Sequence, residues 1–213
     1  MTIIIAVMVV LVGGFLGFRI QGVLRPGPMA MSLERFFLGN PLRIRYFGPS
    51  QSLGLMGSIE GNHVLEVGVG IGVILASLAE RVGTSGHVSG LDIQPAALKL
   101  ARNRVLRAGI LHPDLRLGTA SALPWESGSF DWVVIVGMLG ELPRSRRSGA
   151  LAEAKRVLGP EGRILITEFW PDPHYIKPQQ LNRYCEDAGL HIATLQRHPM
   201  LYSVVVERAD KMI

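Results

Sequence analysis

Residues Val64 to Gly72 read Val-Leu-Glu-Val-Gly-Val-Gly-Ile-Gly. A short apolar run carries Glu66 near its end, and glycines follow at 68, 70 and 72. The run suits a buried strand. The glycines suit a turn where backbone passes close to a ligand, because a Cβ would block that approach. A helical pattern, Val73 to Val82, begins at once, so its N-terminus points at the ligand. Strand, nucleotide-type loop and helix in that order commit the chain to an α/β architecture.

The rest of the chain from about residue 50 agrees. Strands are expected at His63–Val67, His87–Asp92, Leu115–Leu117, Phe130–Val136 and Arg163–Phe169, with helices near 71–82, 95–108 and 145–158 between them. Such alternation implies a doubly wound, mostly parallel sheet. The end departs from the alternation. A helix near Pro178–Ala188 leads into two adjacent strands, His191–Arg197 and Leu201–Arg208, joined by a tight turn at His198–Pro199. That pair implies an antiparallel hairpin at one edge.

The beginning is of another kind. Residues 1 to 18 contain no charged side chain. As a helix they are roughly 27 Å long, just enough to cross a bilayer core. No Lys or Arg precedes the run, which argues against a signal peptide, and a membrane anchor is expected rather than a buried core helix. Arg19, Arg25, Arg35, Arg43 and Arg45 follow it against the single acid Glu34. The positive-inside rule then puts the folded domain in the cytoplasm. Gly13 and Gly17 have the spacing of a helix-pairing face, so a homodimer through this helix is one reading and ordinary membrane-helix glycine the other. Residues 19 to 49 read as a basic juxtamembrane linker broken by Pro26, Pro28 and Pro41. It includes an amphipathic stretch at Ser32 to Leu38 that lies on the membrane or packs on the domain. Residues 50 to 213 are expected to form one folded domain.

Composition narrows the function classes. Lys and Arg number 22 against 17 Asp and Glu, a formal charge of +5. This basicity fits a cytoplasm-facing membrane protein. No dense Lys/Arg stripe with interleaved aromatics points to nucleic acid. Cys185 is the single cysteine, which excludes an internal disulfide and a cysteine-rich metal cluster. No His/Cys/Asp/Glu set has metal-ligand spacing, so no metal is expected.

The loop's details decide which nucleotide. A dinucleotide fingerprint G-x-G-x-x-G starting at Gly68 needs a third glycine at 73. Val73 stands there instead. A carboxylate at 66 would not help bind phosphate and suits a cationic ligand group. Twenty residues beyond Gly72, Asp92 ends the next apolar strand, where an acid can accept both ribose hydroxyls.

At these residues the chain resembles the S-adenosylmethionine-dependent methyltransferases with a Rossmann-like seven-stranded fold. The resemblance covers roughly residues 50 to 208. It rests on Val64–Gly72, Gly90–Pro95, Leu117–Pro124 with Gly128–Asp131, and Leu158–Arg163, in that order. It is strongest to the group methylating small molecules and lipids, including quinones and phospholipids. The resemblance implies S-adenosylmethionine as cofactor and S-adenosylhomocysteine as product. It implies that Glu66, Gly68, Gly70 and Gly72 hold the methionine part and Asp92 the ribose, with Ile93 packed on adenine. Ala120 would meet adenine through its backbone, beside Thr119 where relatives often carry an acid. Gly137 would lie near the reacting methyl.

The sulfonium is already an activated donor, so the enzyme mainly aligns the acceptor and excludes water. A base is needed only if the acceptor must lose a proton. Glu141, after the fourth strand, and Glu168, closing the fifth, are the catalytic candidates. Each also has a structural reading, Glu141 as a helix N-terminal charge and Glu168 as a strand-end acid. His174 and Tyr175, after Trp170-Pro171-Asp172-Pro173, are candidates to line the acceptor pocket or to form a plain surface loop. Arg144, Arg146 and Arg147 read as a solvated helix start, or as a contact for lipid phosphates. The expected function is a membrane-anchored methyltransferase acting on a lipophilic acceptor: a phospholipid amine, a quinone or isoprenoid ring, or a hydrophobic thiol or phenol. The alternatives are methylation of a membrane protein side chain and a non-catalytic cofactor-binding module.

Overall fold

The computed structural model describes residues 49–109, 113–170 and 172–211. The expected membrane helix at 1–18 and the amphipathic stretch at 32–38 lie outside the described residues. Among the described residues no helix is long and apolar enough to cross a membrane.

Seven strands form one sheet: β1 (His63–Val67), β2 (His87–Asp92), β3 (Asp114–Leu117), β4 (Phe130–Val136), β5 (Leu158–Phe169), β6 (Leu190–Arg197) and β7 (Leu201–Arg208). Their order is β3-β2-β1-β4-β5-β7-β6. The first five pair in parallel, and β7 runs antiparallel to both β5 and β6. Four helices of two turns or more connect them: α1 (Val73–Val82), α2 (Pro95–Arg107), α3 (Arg144–Val157) and α4 (Pro178–Asp187).

The central strands are buried on both faces, which is why their sequences are continuous apolar runs rather than alternating ones. In β1 every residue after His63 is buried, Glu66 included. Helices cover the two faces and divide the interior into two cores. Leu75 and Leu78 of α1 and Ala101 and Val105 of α2 pack on one side. Leu151 and Ala154 of α3 and Leu181 and Cys185 of α4 pack on the other. The buried stripe of α2 is Ala97, Ala101, Val105, a four-residue repeat that is small where it meets the glycine loop.

The expected strands and helices are found, and the C-terminal hairpin closes through the His198 N–H to the Leu201 carbonyl at 2.8 Å. One boundary differs. Strand β5 begins at Leu158 instead of Arg163, so the Leu158–Arg163 stretch is drawn into the sheet. Leu158 pairs with Phe130, and the register then slips before Trp132 meets Arg163. Gly162 permits the slip, since a Cβ there would lie 3.0 Å from the Phe130 carbonyl oxygen.

Between β1 and β4 the chain's winding reverses. The loops after these two strands diverge there and leave a crevice at the strands' C-terminal ends, the place where open α/β sheets bind ligands.

Candidate active site

The glycine loop occupies one side of that crevice. Gly68, Gly70 and Gly72 all have positive φ, at 83°, 47° and 76°. Such angles strain any residue with a Cβ. Two of the three are also filled sites. A Cβ on Gly72 would lie 2.6 Å from the Ala101 Cα, and one on Gly68 would lie 2.5 Å from the Met138 Cγ. Gly72 thus lets α2 approach the loop, and Gly68 lets the loop after β4 approach it. Backbone bonds hold the loop to β2: Gly68 and Val69 N–H groups donate to the Leu91 carbonyl at 2.8 and 3.1 Å.

Asp92 completes the cradle. Its Oδ2 accepts the Gly70 N–H at 2.9 Å and its Oδ1 accepts the Gln94 N–H at 2.8 Å. One carboxylate therefore ties the glycine loop to the turn that starts α2. Each oxygen keeps a lone pair for a further donor, as two ribose hydroxyls require. Glu66 lies close by at 2% exposure, with its Oε2 unpartnered. Burial, then repulsion from Asp92, hold its carboxyl well above the usual carboxylate range, partly offset by the Leu75 N–H in the first turn of α1. A buried acid with an orphan oxygen fits an ammonium partner, which would favour the charged form.

The other expected cofactor residues converge here. Ile93 is 57% exposed directly after Asp92, an apolar surface at the right place for a flat base. The Gly118 N–H donates to the Asp92 carbonyl at 3.1 Å, which brings Thr119 and Ala120 to the same end. Thr119 is exposed and bridges to Ala122, while Ala120 is buried. Gly137, φ 66°, turns the chain after β4 and lies against the Phe169 ring. An absent Cβ at 68 and 72 and an orphan acid at 66 suit S-adenosylmethionine: a ligand with an ammonium group and ribose hydroxyls and no phosphate.

On the far side, the loops after β4 and β5 are fastened together. Glu141 sits in a short helical turn, Leu139–Glu141, and is half-buried. Glu168 is 2% exposed; its Oε2 accepts the Ile176 N–H at 3.2 Å and its Oε1 has no partner. Tyr202, opposite Glu168 in the sheet, donates its hydroxyl to the Ile176 carbonyl at 2.7 Å. Both polar groups of Ile176 are thus held from the sheet below. Tyr175 packs edge-on against Tyr202 with ring centroids 5.8 Å apart. His174 is not on a plain surface loop: its side chain is 16% exposed and its Nδ1 lies 3.5 Å from Asp172 Oδ1.

Sequence reasoning missed several of these parts. Met138 follows Gly137 and seals the glycine loop. Gly140 packs against the His174 carbonyl so closely that no Cβ would fit. Arg147, expected to be solvated, instead turns inward. Its Nη2 donates to the Gly140 carbonyl at 2.7 Å and its Nε to the Leu142 carbonyl at 3.0 Å, with the guanidinium near the Tyr184 ring. Only Arg144 and Arg146 of that cluster are exposed. The signal for Arg147 was one helical position: Arg147 shares the face of Ala150, Leu151 and Ala154, which is buried.

Burial pushes the Glu168 carboxyl up to about 8; the Ile176 N–H opposes this, Asp172 and Glu141 add to it, and Arg147 reduces it. The unfolded chain ionises this group near its ordinary value of 4.5. Between those limits the folded state keeps a proton that the unfolded state has lost. The Glu168 contribution to stability is therefore greatest below about 4.5, falls as pH rises, and levels off above about 8. Glu168→Gln keeps the acceptor for Ile176 and removes the charge. Denaturant melts at pH 5 and 8.5 should show the variant gaining on the wild type at the higher pH, on the order of a few kcal/mol. Equal pH dependence in both proteins would remove this account.

Comparison with known proteins agrees with the geometry. Residues 64–162 match the family model described as "Methyltransferase domain". The chain is 35% identical over 109 residues to the ubiquinone/menaquinone biosynthesis C-methyltransferase UbiE of Paraburkholderia phymatum, and 34% identical to that of Burkholderia thailandensis. Those matches cover 51% of this chain and 44% of the relative, so the chain spans under half the length of the curated relatives it matches. Among solved structures, an S-adenosylmethionine-dependent methyltransferase from Aquifex aeolicus superposes with a TM-score of 0.76 at 24% identity, covering 84% of this chain and 98% of that one. A TehB-like S-adenosylmethionine-dependent methyltransferase from Corynebacterium glutamicum gives 0.64 at 20% identity, covering 84% and 100%. These two likenesses concern the fold. Over residues 64–162 the chain is similar to methyltransferase domains, and its fold is that of S-adenosylmethionine-dependent methyltransferases.

Proposed function

We propose that the protein is a membrane-held enzyme that moves a methyl group from S-adenosylmethionine to a lipophilic acceptor, with a quinone-type ring as the first candidate. The observation that carries the acceptor class is the similarity to quinone-biosynthesis C-methyltransferases over 109 residues. The uncharged segment at 1–18 supports a bilayer as the place of work, with the domain on the cytoplasmic side.

The cofactor, when bound, supplies an electrophilic methyl on a sulfonium. The chain's own residues do the rest. Glu66 takes the ammonium, Asp92 takes the ribose hydroxyls, and Ile93 with Thr119 and Ala120 takes the adenine. Met138 and the loop at Gly137 close over the methionine end and exclude water. The Ile176 clamp and the Arg147 braces hold the two loops that flank an acceptor at a fixed separation. Protonated up to about 8, Glu168 holds a proton at neutral pH and serves to position the loop. Glu141, half-buried beside it, is the candidate to take a proton where the acceptor must lose one, from a ring carbon or hydroxyl.

Incubating membranes with radiolabelled S-adenosylmethionine and extracting lipids tests the reading. Label is expected in the organic phase. Label confined to the protein pellet would assign the acceptor to a membrane protein, and cofactor binding without any labelled product would make this a non-catalytic module. Deleting residues 1–18 is expected to release the protein from carbonate-washed membranes while cofactor affinity stays within about twofold, since no cofactor residue lies in that segment. A deletion protein that remains membrane-bound would move the anchor to the basic linker.

A further inference from the structure

We infer that the domain's cofactor end is an electrostatic docking face for an anionic phospholipid bilayer, so that the crevice opens onto the lipid surface. The inference rests on the membrane reading above for its choice of a bilayer over another polyanion. Its evidence is how the domain's charges are distributed.

The exposed acids among the described residues, Glu126 before β4 and Glu186 in the last turn of α4 included, gather at one end. Glu60 precedes β1, Asp131 starts β4 and Glu161 lies at the start of β5. Glu80 and Asp187 lie in the last turns of helices that run back down the sheet, and Asp210 follows β7, which ends at that same side. Among the described residues the end that carries the crevice has no exposed acid. Its acids are either buried, as Glu66, Asp92 and Glu168 are, or half-buried, as Glu141 and Asp172 are.

Exposed cations ring that crevice end. Arg144 and Arg146 start α3 after the β4 loop, Lys177 precedes α4, and Arg197 ends β6 opposite Tyr202. Exposed cations also lie elsewhere: Arg107 ends α2 at the other end, Lys99 and Arg102 lie along α2 and Arg183 along α4, while Arg163 is paired with Glu207 at 2.9 Å and Arg116 with Asp114. Trp170 stands on the cationic rim just past β5, 54% exposed, with its amide bonded to the Met200 carbonyl at 2.9 Å. An amphipathic ring beside cations is the composition that sits at a headgroup boundary.

Thr167 and Ser203, near the crevice end of β5 and β7, direct their hydroxyls at the Ser52 carbonyl, 3.4 and 3.5 Å away. Ser52 is thus held toward this end, while the next carbonyl, Leu53, accepts from Arg81 in the last turn of α1 at 2.9 Å. Exposed acids confined to the far end leave the crevice end the more favourable one to turn toward an anionic surface.

The test is Trp170 fluorescence in the full-length protein mixed with vesicles whose lipids carry bromine at the upper acyl chain. Vesicles of phosphatidylcholine with 30% phosphatidylglycerol are compared with phosphatidylcholine alone. Quenching is expected to be severalfold greater with the anionic vesicles and to vanish in Trp170→Phe. It should fall to the phosphatidylcholine level in 0.5 M salt and in the Arg144→Gln/Arg146→Gln/Arg197→Gln protein. Equal quenching on both vesicles, quenching that survives in Trp170→Phe, or no effect of salt overturns the proposal. So does preferential binding of duplex nucleic acid with no vesicle quenching. The salt series uses the wild type, so the outcome stands even if the triple variant folds poorly. Carbonate extraction and label in the lipid phase report on the anchor and the activity separately, so either reading can fail while the other holds.

Discussion

Asp92→Asn is expected to weaken S-adenosylmethionine binding by about 10²- to 10³-fold, measured by calorimetry. The carboxylate faces two N–H donors at once, Gly70 at 2.9 Å and Gln94 at 2.8 Å. An amide has one oxygen, so either orientation sets an NH2 group against a backbone N–H. That leaves a buried donor unpaired, at a cost of about 1–3 kcal/mol, and loosens the tie between the glycine loop and α2. The charge-assisted bonds to the ribose hydroxyls weaken as well, by about 1.5–3 kcal/mol. Even the lower part of this range reaches two orders of magnitude in affinity, at about 1.4 kcal/mol per tenfold. An affinity within fivefold of the wild type would show that Asp92 organises nothing the cofactor uses.

Gly72→Ala is expected to act on the fold, with a fall of roughly 10 °C in melting temperature by calorimetry or circular dichroism. At φ 76° an alanine costs about 1–2 kcal/mol in backbone strain. Its Cβ would also press on the Ala101 backbone at 2.6 Å, where only a shift of α2 gives relief. Forcing such a shift in a packed interior costs about 1–3 kcal/mol more. Gly68→Ala makes the informative comparison. Its φ of 83° carries similar strain, but the obstacle is the Met138 side chain, which has rotatable bonds to yield with. The smaller loss of stability should come with a larger loss of turnover, because Met138 then moves into the closed end of the crevice. A melting temperature for Gly72→Ala within 2 °C of the wild type would contradict the helix-approach argument.

The two glycines show how far a pattern can be read. Their spacing after an apolar run announces that side chains are excluded, because the run must be a strand and the next residues a helix. Which neighbour does the excluding is a matter of long-range packing: Ala101 lies 29 residues from Gly72, and Met138 lies 70 residues from Gly68. The same division holds for the acids. Glu66 and Asp92 announced themselves because each ends an apolar strand, and strand ends in a parallel sheet share one edge. Glu168 was legible as a strand-end acid, whereas its partner Ile176 and the opposing Tyr202 were not. Those contacts depend on how the loop folds back over β7, and no periodicity records that path.

From the sequence by itself come the α/β class, the strand positions, the glycine loop and the two acids of a phosphate-free nucleotide site. The physical reason is that these features are local: strand burial, turn conformation and the alternation of elements are all written in adjacent residues. The tertiary structure alone decided that Arg147 turns inward, that Glu168 is buried and tied to Ile176, and that the exposed acids gather at the end away from the crevice. Each of those depends on residues far apart in the chain being brought to one place, where burial and neighbouring charge set what a side chain does.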